Sequence, residues 1–147
     1  MTMSNTQVLI VGAGPTGLTL ALWLTRLGAG VRIIDKRAAP GETSRALGVQ
    51  ARTLEFHRQI GVAEDVLKEG VRIEQLTVHT PKGVAAELPL GDFGTGLTPY
   101  PFAFCVPQDI HERVLISHLA KLGVEVERQT EMLAFEQDGQ GVTAILS

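Results

Sequence analysis

Three glycines and one acid carry the clearest chemistry in this chain: Gly12, Gly14 and Gly17 within Gly12-Ala13-Gly14-Pro15-Thr16-Gly17, and Asp35. Glycines at this spacing, where a strand turns into a helix, suit a pyrophosphate. The first permits the tight turn, the second clears the approach of the phosphate, and the third lets helix and strand pack closely. The helix N-terminus supplies unpaired N–H donors and partial positive charge, so no basic side chain is needed. A carboxylate roughly 20 residues further on can accept hydrogen bonds from a ribose, and Asp35 stands at that distance. The combination reads as a site for an adenine dinucleotide.

The elements around these residues are in the required order. Val8 to Val11 is a continuous apolar run, as a buried parallel strand should be. Gln7 to Val11 is therefore strand one, and Pro15 or Thr16 to Leu27 a helix with proline tolerated in its first turn and Gly28 as its stop. Val31 to Asp35 is strand two. Lys36 to Leu47 reads as a loop, Gln50 to Ile60 as a helix stopped by Gly61, and Val62 to Glu69 as a short second helix. The period then changes. Val71 to Val78 alternates like a half-exposed strand, Thr80-Pro81-Lys82-Gly83 is a turn, and Val84 to Leu88 is its hairpin partner. Gly91 to Pro99 is a glycine-rich connection. Phe102 to Val106 is an apolar strand, followed by a helix from Asp109 to Leu122. Asp109 and Glu112 there have the spacing of a capping box, and Ile110, Val114, Leu115, Leu119 and Leu122 form its apolar stripe. Val124 to Val126 is a strand. Glu131 to Gln137 and Val142 to Leu146 flank Asp138-Gly139-Gln140-Gly141, a hairpin signal.

The fold class is α/β: a Rossmann-type parallel sheet with an antiparallel insertion. Residues 1–70 form the βαβ unit that binds the ADP moiety. Residues 71–100 are the antiparallel insertion and the start of a substrate domain. Residues 101–147 return to the dinucleotide-binding domain and end in a hairpin. The parallel sheet has few strands and the chain stops directly after a hairpin strand, which suggests a C-terminal truncation of a longer protein.

The 147 residues are one domain's worth of chain. A net charge of -3 gives no reason to expect nucleic acid or an anionic membrane as partner. Lys36-Arg37 is the one adjacent basic pair and taken alone reads as a solvated loop. The single cysteine, Cys105, excludes an internal disulfide and a cysteine-rich metal site, and its apolar neighbours suit a buried residue. His57 and His79 look isolated, and His111 and His118 are not at chelating spacing, so no metal site is expected. The N-terminal apolar stretch is broken by glycines and Pro15, far short of the ~18 apolar residues of a membrane span. Residues 1–7 lack the basic side chain of a signal peptide. A cytoplasmic protein is expected.

Four blocks carry a further resemblance: Val8 to Gly17; Asp35-Lys36-Arg37; Ser44-Arg45-Ala46-Leu47-Gly48-Val49-Gln50-Ala51-Arg52-Thr53-Leu54-Glu55; and Val106-Pro107-Gln108-Asp109-Ile110-His111-Glu112-Arg113-Val114-Leu115. In these the chain resembles the N-terminal part of the class A flavoprotein monooxygenases, the p-hydroxybenzoate hydroxylase-like enzymes, and within them the branch acting on phenols and aromatic polyketides. The resemblance implies non-covalent FAD, with NADH or NADPH as the reductant of the full-length parent and a small aromatic, phenolic substrate. It implies that Gly12, Ala13, Gly14, Pro15, Thr16 and Gly17 cradle the cofactor together with Asp35, Lys36 and Arg37. FAD is long and lies extended, so the segment after strand two must reach its pyrophosphate. The family does so with an arginine matched here by Arg45, whose planar fork suits paired phosphate oxygens. Arg52 is a weaker candidate. The family's glutamine that contacts the ribityl region is matched by Gln108. Arg113 is a further candidate, with a surface role as the alternative.

The resemblance also implies an Asp-Gly segment and a later Gly-Asp segment that complete the FAD site, and neither lies in residues 1–147. The expected function is thus the FAD-binding portion of an NAD(P)H-dependent monooxygenase. The chain alone should be inactive and prone to self-association, and no catalytic residue can be assigned. Two alternatives stand beside it. An NAD(P)-dependent dehydrogenase domain would use the glycines and Asp35 but give Arg45 and Gln108 no role. A catalytically inert nucleotide-binding module would need nothing further.

Overall fold

The structure is a computed structural model, and it describes residues 4–41 and 48–147. The chain divides into two compact units. One comprises Met1–Glu42 with Glu112–Ser147, and the other Thr43–His111.

The first unit is built on a three-stranded parallel sheet. Strand β1 (Val8–Val11) pairs with β2 (Val31–Asp35), and β2 pairs on its other side with β7 (Val126–Arg128). Helix α1 (Pro15–Arg26) connects β1 to β2. Its apolar stripe buries Leu18, Ala21 and Leu22, spaced three and four residues apart as one helix face requires. The central strand buries Ile33 and Ile34 in sequence, because a parallel strand in mid-sheet is covered on both faces. Arg32 on β2 holds Glu127 on β7 through two bonds of 2.6 and 2.7 Å, which fixes that strand pair. The unit ends in the antiparallel hairpin of β8 (Met132–Gln137) and β9 (Val142–Leu146). Its turn is made by Asp138, whose Oδ1 accepts the amides of Gln140 and Gly141.

The second unit holds α2 (Ala51–Gln59), α3 (Ala63–Lys68), β3 (Val71–Ile73), β4 (Gln75–Thr80), β5 (Gly83–Pro89) and β6 (Ala103–Cys105). The run Val71 to Val78, expected as one strand, is two. β3 pairs with β6 and β4 with β5, both antiparallel. The break lies at Glu74, whose carbonyl accepts the Leu90 amide at 2.8 Å, while the Leu90 carbonyl accepts the Ala103 amide at 2.9 Å. The chain exchanges one partner for another at that point, and the alternation shifts phase there too, at the consecutive polar residues Glu74 and Gln75. Tyr100, Phe102 and Phe104 pack edge to face with centroids 6.3 Å apart in each pair, and the Arg72 guanidinium lies 4.1 Å above the Phe102 ring.

Helix α4 (Gln108–Lys121) passes from the second unit into the first. It begins earlier than the capping-box pattern suggested. The Pro107 carbonyl accepts the His111 amide at 2.9 Å, which places Asp109 inside the first turn. Leu115 and Leu119 are buried as expected, whereas Leu122 lies beyond the helix and is exposed. His57 is not isolated as the sequence suggested. Its Nε2 lies 2.8 Å from Nε2 of His111, and both rings are buried in the second unit. Among the described residues no helix is long and apolar enough to cross a membrane.

Candidate functional site

The glycine turn sits between β1 and α1 in the first unit. Gly12 has φ +107°, a conformation that side chains rarely adopt, so the tight turn depends on a glycine there. A methyl group on Gly17 would overlap the Gly12 carbonyl oxygen and press on Ile10, which is the close helix–strand contact that the third glycine permits. Gly14 differs. A methyl there would meet only Oε1 of Glu112, at 4.0 Å, so packing does not require this glycine. Its missing side chain instead leaves the approach to the turn open.

Gly14 is the N-cap of α1 and no side chain caps that end; the first turn also carries no acid. Pro15 occupies the first helical position, and the first intrahelical bond runs from the Leu18 amide to the Gly14 carbonyl at 2.9 Å. An uncapped N-terminus presents backbone donors to an anion. Thr16 lies exposed on this first turn. An open groove of about 490 Å³ runs along β1 and the turn, past Gly12, Gly14, Thr16 and Gly17.

Asp35, at the carboxyl end of β2, is buried beside this turn. Its Oδ2 accepts the Ala13 amide at 2.8 Å, and its Oδ1 accepts the Arg37 amide at 2.8 Å and Arg37 Nε at 3.4 Å. Burial alone would raise the carboxyl's pKa. The amides of Arg37 and Ala13 and the Arg37 guanidinium outweigh it and hold Asp35 below the ordinary carboxylate range. Asp35 is thus an ionised acceptor tied to the glycine turn. Oδ2, which accepts a single amide, keeps a second lone pair for a ligand hydroxyl.

Lys36 is exposed and makes a 3.3 Å surface pair with Glu131. Gln108 opens α4 as a half-buried residue in the second unit, and Arg113 is exposed further along the same helix in the first. Arg45 lies outside the described residues. Arg52 pairs with Glu55 at 2.7 Å and lies over the Phe56 ring.

Two residues that sequence reasoning did not place are brought to the site. Glu112 is fully buried, and its Oε2 accepts the Gly41 amide at 3.4 Å. Arg128, paired in register with Asp35 across the sheet, brings its Nη1 to 3.8 Å from Asp35 Oδ2. The spacing of Asp109 and Glu112 signals a helix cap and gives no hint that Glu112 is buried against Gly41. Arg128 lies far along the chain from Asp35, and only the strand pairing joins them.

The geometry is that of a dinucleotide site, and comparison with known proteins narrows it. The sequence profile of the FAD binding domain matches residues 5–147. The chain belongs to the FAD-binding domain family. This FAD-binding domain is 41% identical over 140 residues to 6-methylpretetramide 4-monooxygenase of Streptomyces rimosus, covering 95% of this chain and 25% of that protein. It is 35% identical to aklavinone 12-hydroxylase of Streptomyces peucetius subsp. caesius, covering 99% of this chain and 32% of that protein. In structure it resembles aklavinone-11 hydroxylase, solved as a ternary complex with FAD and aklavinone. The TM-score is 0.84, at 28% identity, with 99% of this chain and 30% of that chain covered. The domain therefore spans about a quarter to a third of the length of these relatives.

The α/β fold and the FAD-binding domain expected from the sequence are borne out. The residues present also fit the cofactor: an uncapped helix N-terminus, an unobstructed Gly14 and an ionised acid at the carboxyl end of β2 suit its ADP half.

Proposed function

We propose that this chain is the ADP-holding part of a flavin-dependent monooxygenase that hydroxylates an aromatic, phenolic substrate, with NADH or NADPH as reductant. The observation that carries this reading is the extent of the family match. The glycine turn and Asp35 alone would serve a nicotinamide enzyme equally well. The match to the FAD binding domain runs from residue 5 through α4 to residue 147, well past the βαβ unit that a nicotinamide site needs. The relatives compared above are named as monooxygenases and hydroxylases. When bound, the flavin supplies the redox and oxygen chemistry.

In this reading the chain's own residues bind and orient. The first-turn amides of α1 hold pyrophosphate, Gly14 admits it, and Asp35 accepts from the ribose. Arg37 keeps Asp35 in place, and the resemblance assigns further cofactor contacts to Lys36, Gln108, Arg113 and Arg45. The insertion of residues 71–100 is the start of the part that receives substrate.

Calorimetric titration of the chain with FAD and with NAD tests the assignment. FAD should bind more tightly, and tighter binding of NAD would reverse it. With FAD, NAD(P)H and a panel of phenols, a form extended to the relatives' length should yield ring-hydroxylated product and the 147-residue chain none. Product from the short chain would refute the division of labour proposed here.

A further inference from the structure

The carboxyl end of a parallel sheet is where open α/β folds bind ligands, and this sheet ends with an unexplained cation. Arg128 closes β7 directly opposite Asp35. Its Nη1 and Nη2 are buried, and among the described residues neither has a hydrogen-bond acceptor. Arg128 forms an ion pair with Asp35 Oδ2, at 3.8 Å from Nη1, beyond hydrogen-bonding distance. A buried guanidinium without acceptors is costly. Asp35 does not need it, since two amides and Arg37 already hold that carboxylate.

The next residue adds a second, independent sign. Gln129 has φ +54°, left-handed for a residue other than glycine. It is fixed there by its amide bond to the Arg37 carbonyl at 3.3 Å, with the Thr130 amide bonded to the Asp35 carbonyl at 3.2 Å. Strain of this kind gathers where a ligand is held. Here it lies directly after Arg128, which the strand register sets opposite Asp35.

We infer that Arg128 is a binding residue for the adenosine half of the dinucleotide, donating through its Nη atoms to ribose or purine acceptors next to Asp35. The inference rests on the dinucleotide reading proposed above. It assigns the site a cationic donor from β7 as well as the carboxylate from β2. The cost of an unsatisfied guanidinium in the free chain is recovered when the ligand brings acceptors.

The test separates a ligand-binding role from a structural one. Arg128→Met keeps the bulk of the side chain and removes the buried charge; Arg128→Lys keeps the charge and removes the planar fork. FAD, ADP-ribose and FMN are titrated into the wild-type chain and both variants, and unfolding is followed by denaturant. Arg128→Met should bind FAD and ADP-ribose roughly ten-fold or more weakly, the loss expected for hydrogen bonds from a charged group. Its stability should stay close to wild type, because two amides and Arg37 still hold Asp35. Arg128→Lys should fall between, and the weaker binding of FMN, which lacks adenosine, should be unaffected by either change. Unchanged FAD and ADP-ribose affinity in Arg128→Met would overturn the inference and leave the FAD reading intact. Destabilisation of both variants, with affinity unchanged in whichever still folds, would make Arg128 a structural residue and equally overturn it. A wild-type chain that binds neither FAD nor ADP-ribose would overturn both readings.

Discussion

Asp35 ties the glycine turn to the end of β2, and we propose that the same carboxylate accepts from the ribose. Asp35→Ala should therefore weaken FAD and ADP-ribose by similar amounts, ~1.5–3 kcal/mol for a lost charged hydrogen bond. Calorimetry with the two ligands checks this, and unchanged affinity for both would remove Asp35 from the site. The same residue contributes to acid sensitivity. Its folded pKa lies below the ordinary value of 3.8, so its stabilising effect is full above that value and is lost as pH falls through the lower folded one. His57 acts earlier. Burial, with the neighbouring charge of His111, pushes its pKa from 6.5 down to about 4. Between those values the unfolded chain binds the extra proton, so stability falls as pH drops from 6.5 towards 4. Denaturant unfolding at several pH values should show this slope, and His57→Phe should flatten it.

At the scale of elements, the three glycines of one motif have separable duties. Gly17→Ala would force the new methyl into the Gly12 carbonyl, so the β1–α1 junction must open and several kcal/mol of stability should be lost. Gly14→Ala meets only an ordinary contact at 4.0 Å from Glu112 and has φ -80°, which alanine accepts. It should fold as wild type and lose FAD affinity. Thermal unfolding paired with FAD titration distinguishes the two; equal stability losses would contradict the separation. This βαβ unit was legible in the sequence because each signal is local: an apolar run, a glycine turn, a helix stop and a strand-end acid. What sequence did not reveal was partnership. Val71 to Val78 alternates well enough to read as one strand, yet the chain changes strand partner at Glu74, where Glu74-Gln75 shifts the phase. Glu112 has capping-box spacing, yet it is buried against Gly41. His57 and His111 meet across 54 positions, and Asp35 and Arg128 through sheet register, and no periodicity encodes either pairing.

At the scale of the whole molecule, the two hairpins leave much apolar surface uncovered. Leu76, Val78, Val84 and Leu88 are exposed on β4–β5, and Leu133, Phe135, Val142 and Ile145 on β8–β9. Two-stranded hairpins are marginal in water when unsupported, and apolar patches of this kind drive association. The chain on its own should self-associate with rising concentration in sedimentation velocity. Val84→Lys with Phe135→Lys should reduce that association. The first unit is also discontinuous in sequence, interrupted by residues 43–111. During synthesis, β2 emerges long before β7 and remains a sheet edge until the intervening unit has been made. The Arg32–Glu127 clamp and the Arg128 side of Asp35 must close last. Pairing across so long a stretch of chain is a slow step. A nascent chain halted ahead of Arg128 should gain no protease resistance from FAD, and one halted beyond β9 should. The ribosome thus releases the second unit before the first can hold its cofactor, and the order of translation sets the order in which the holoprotein is assembled.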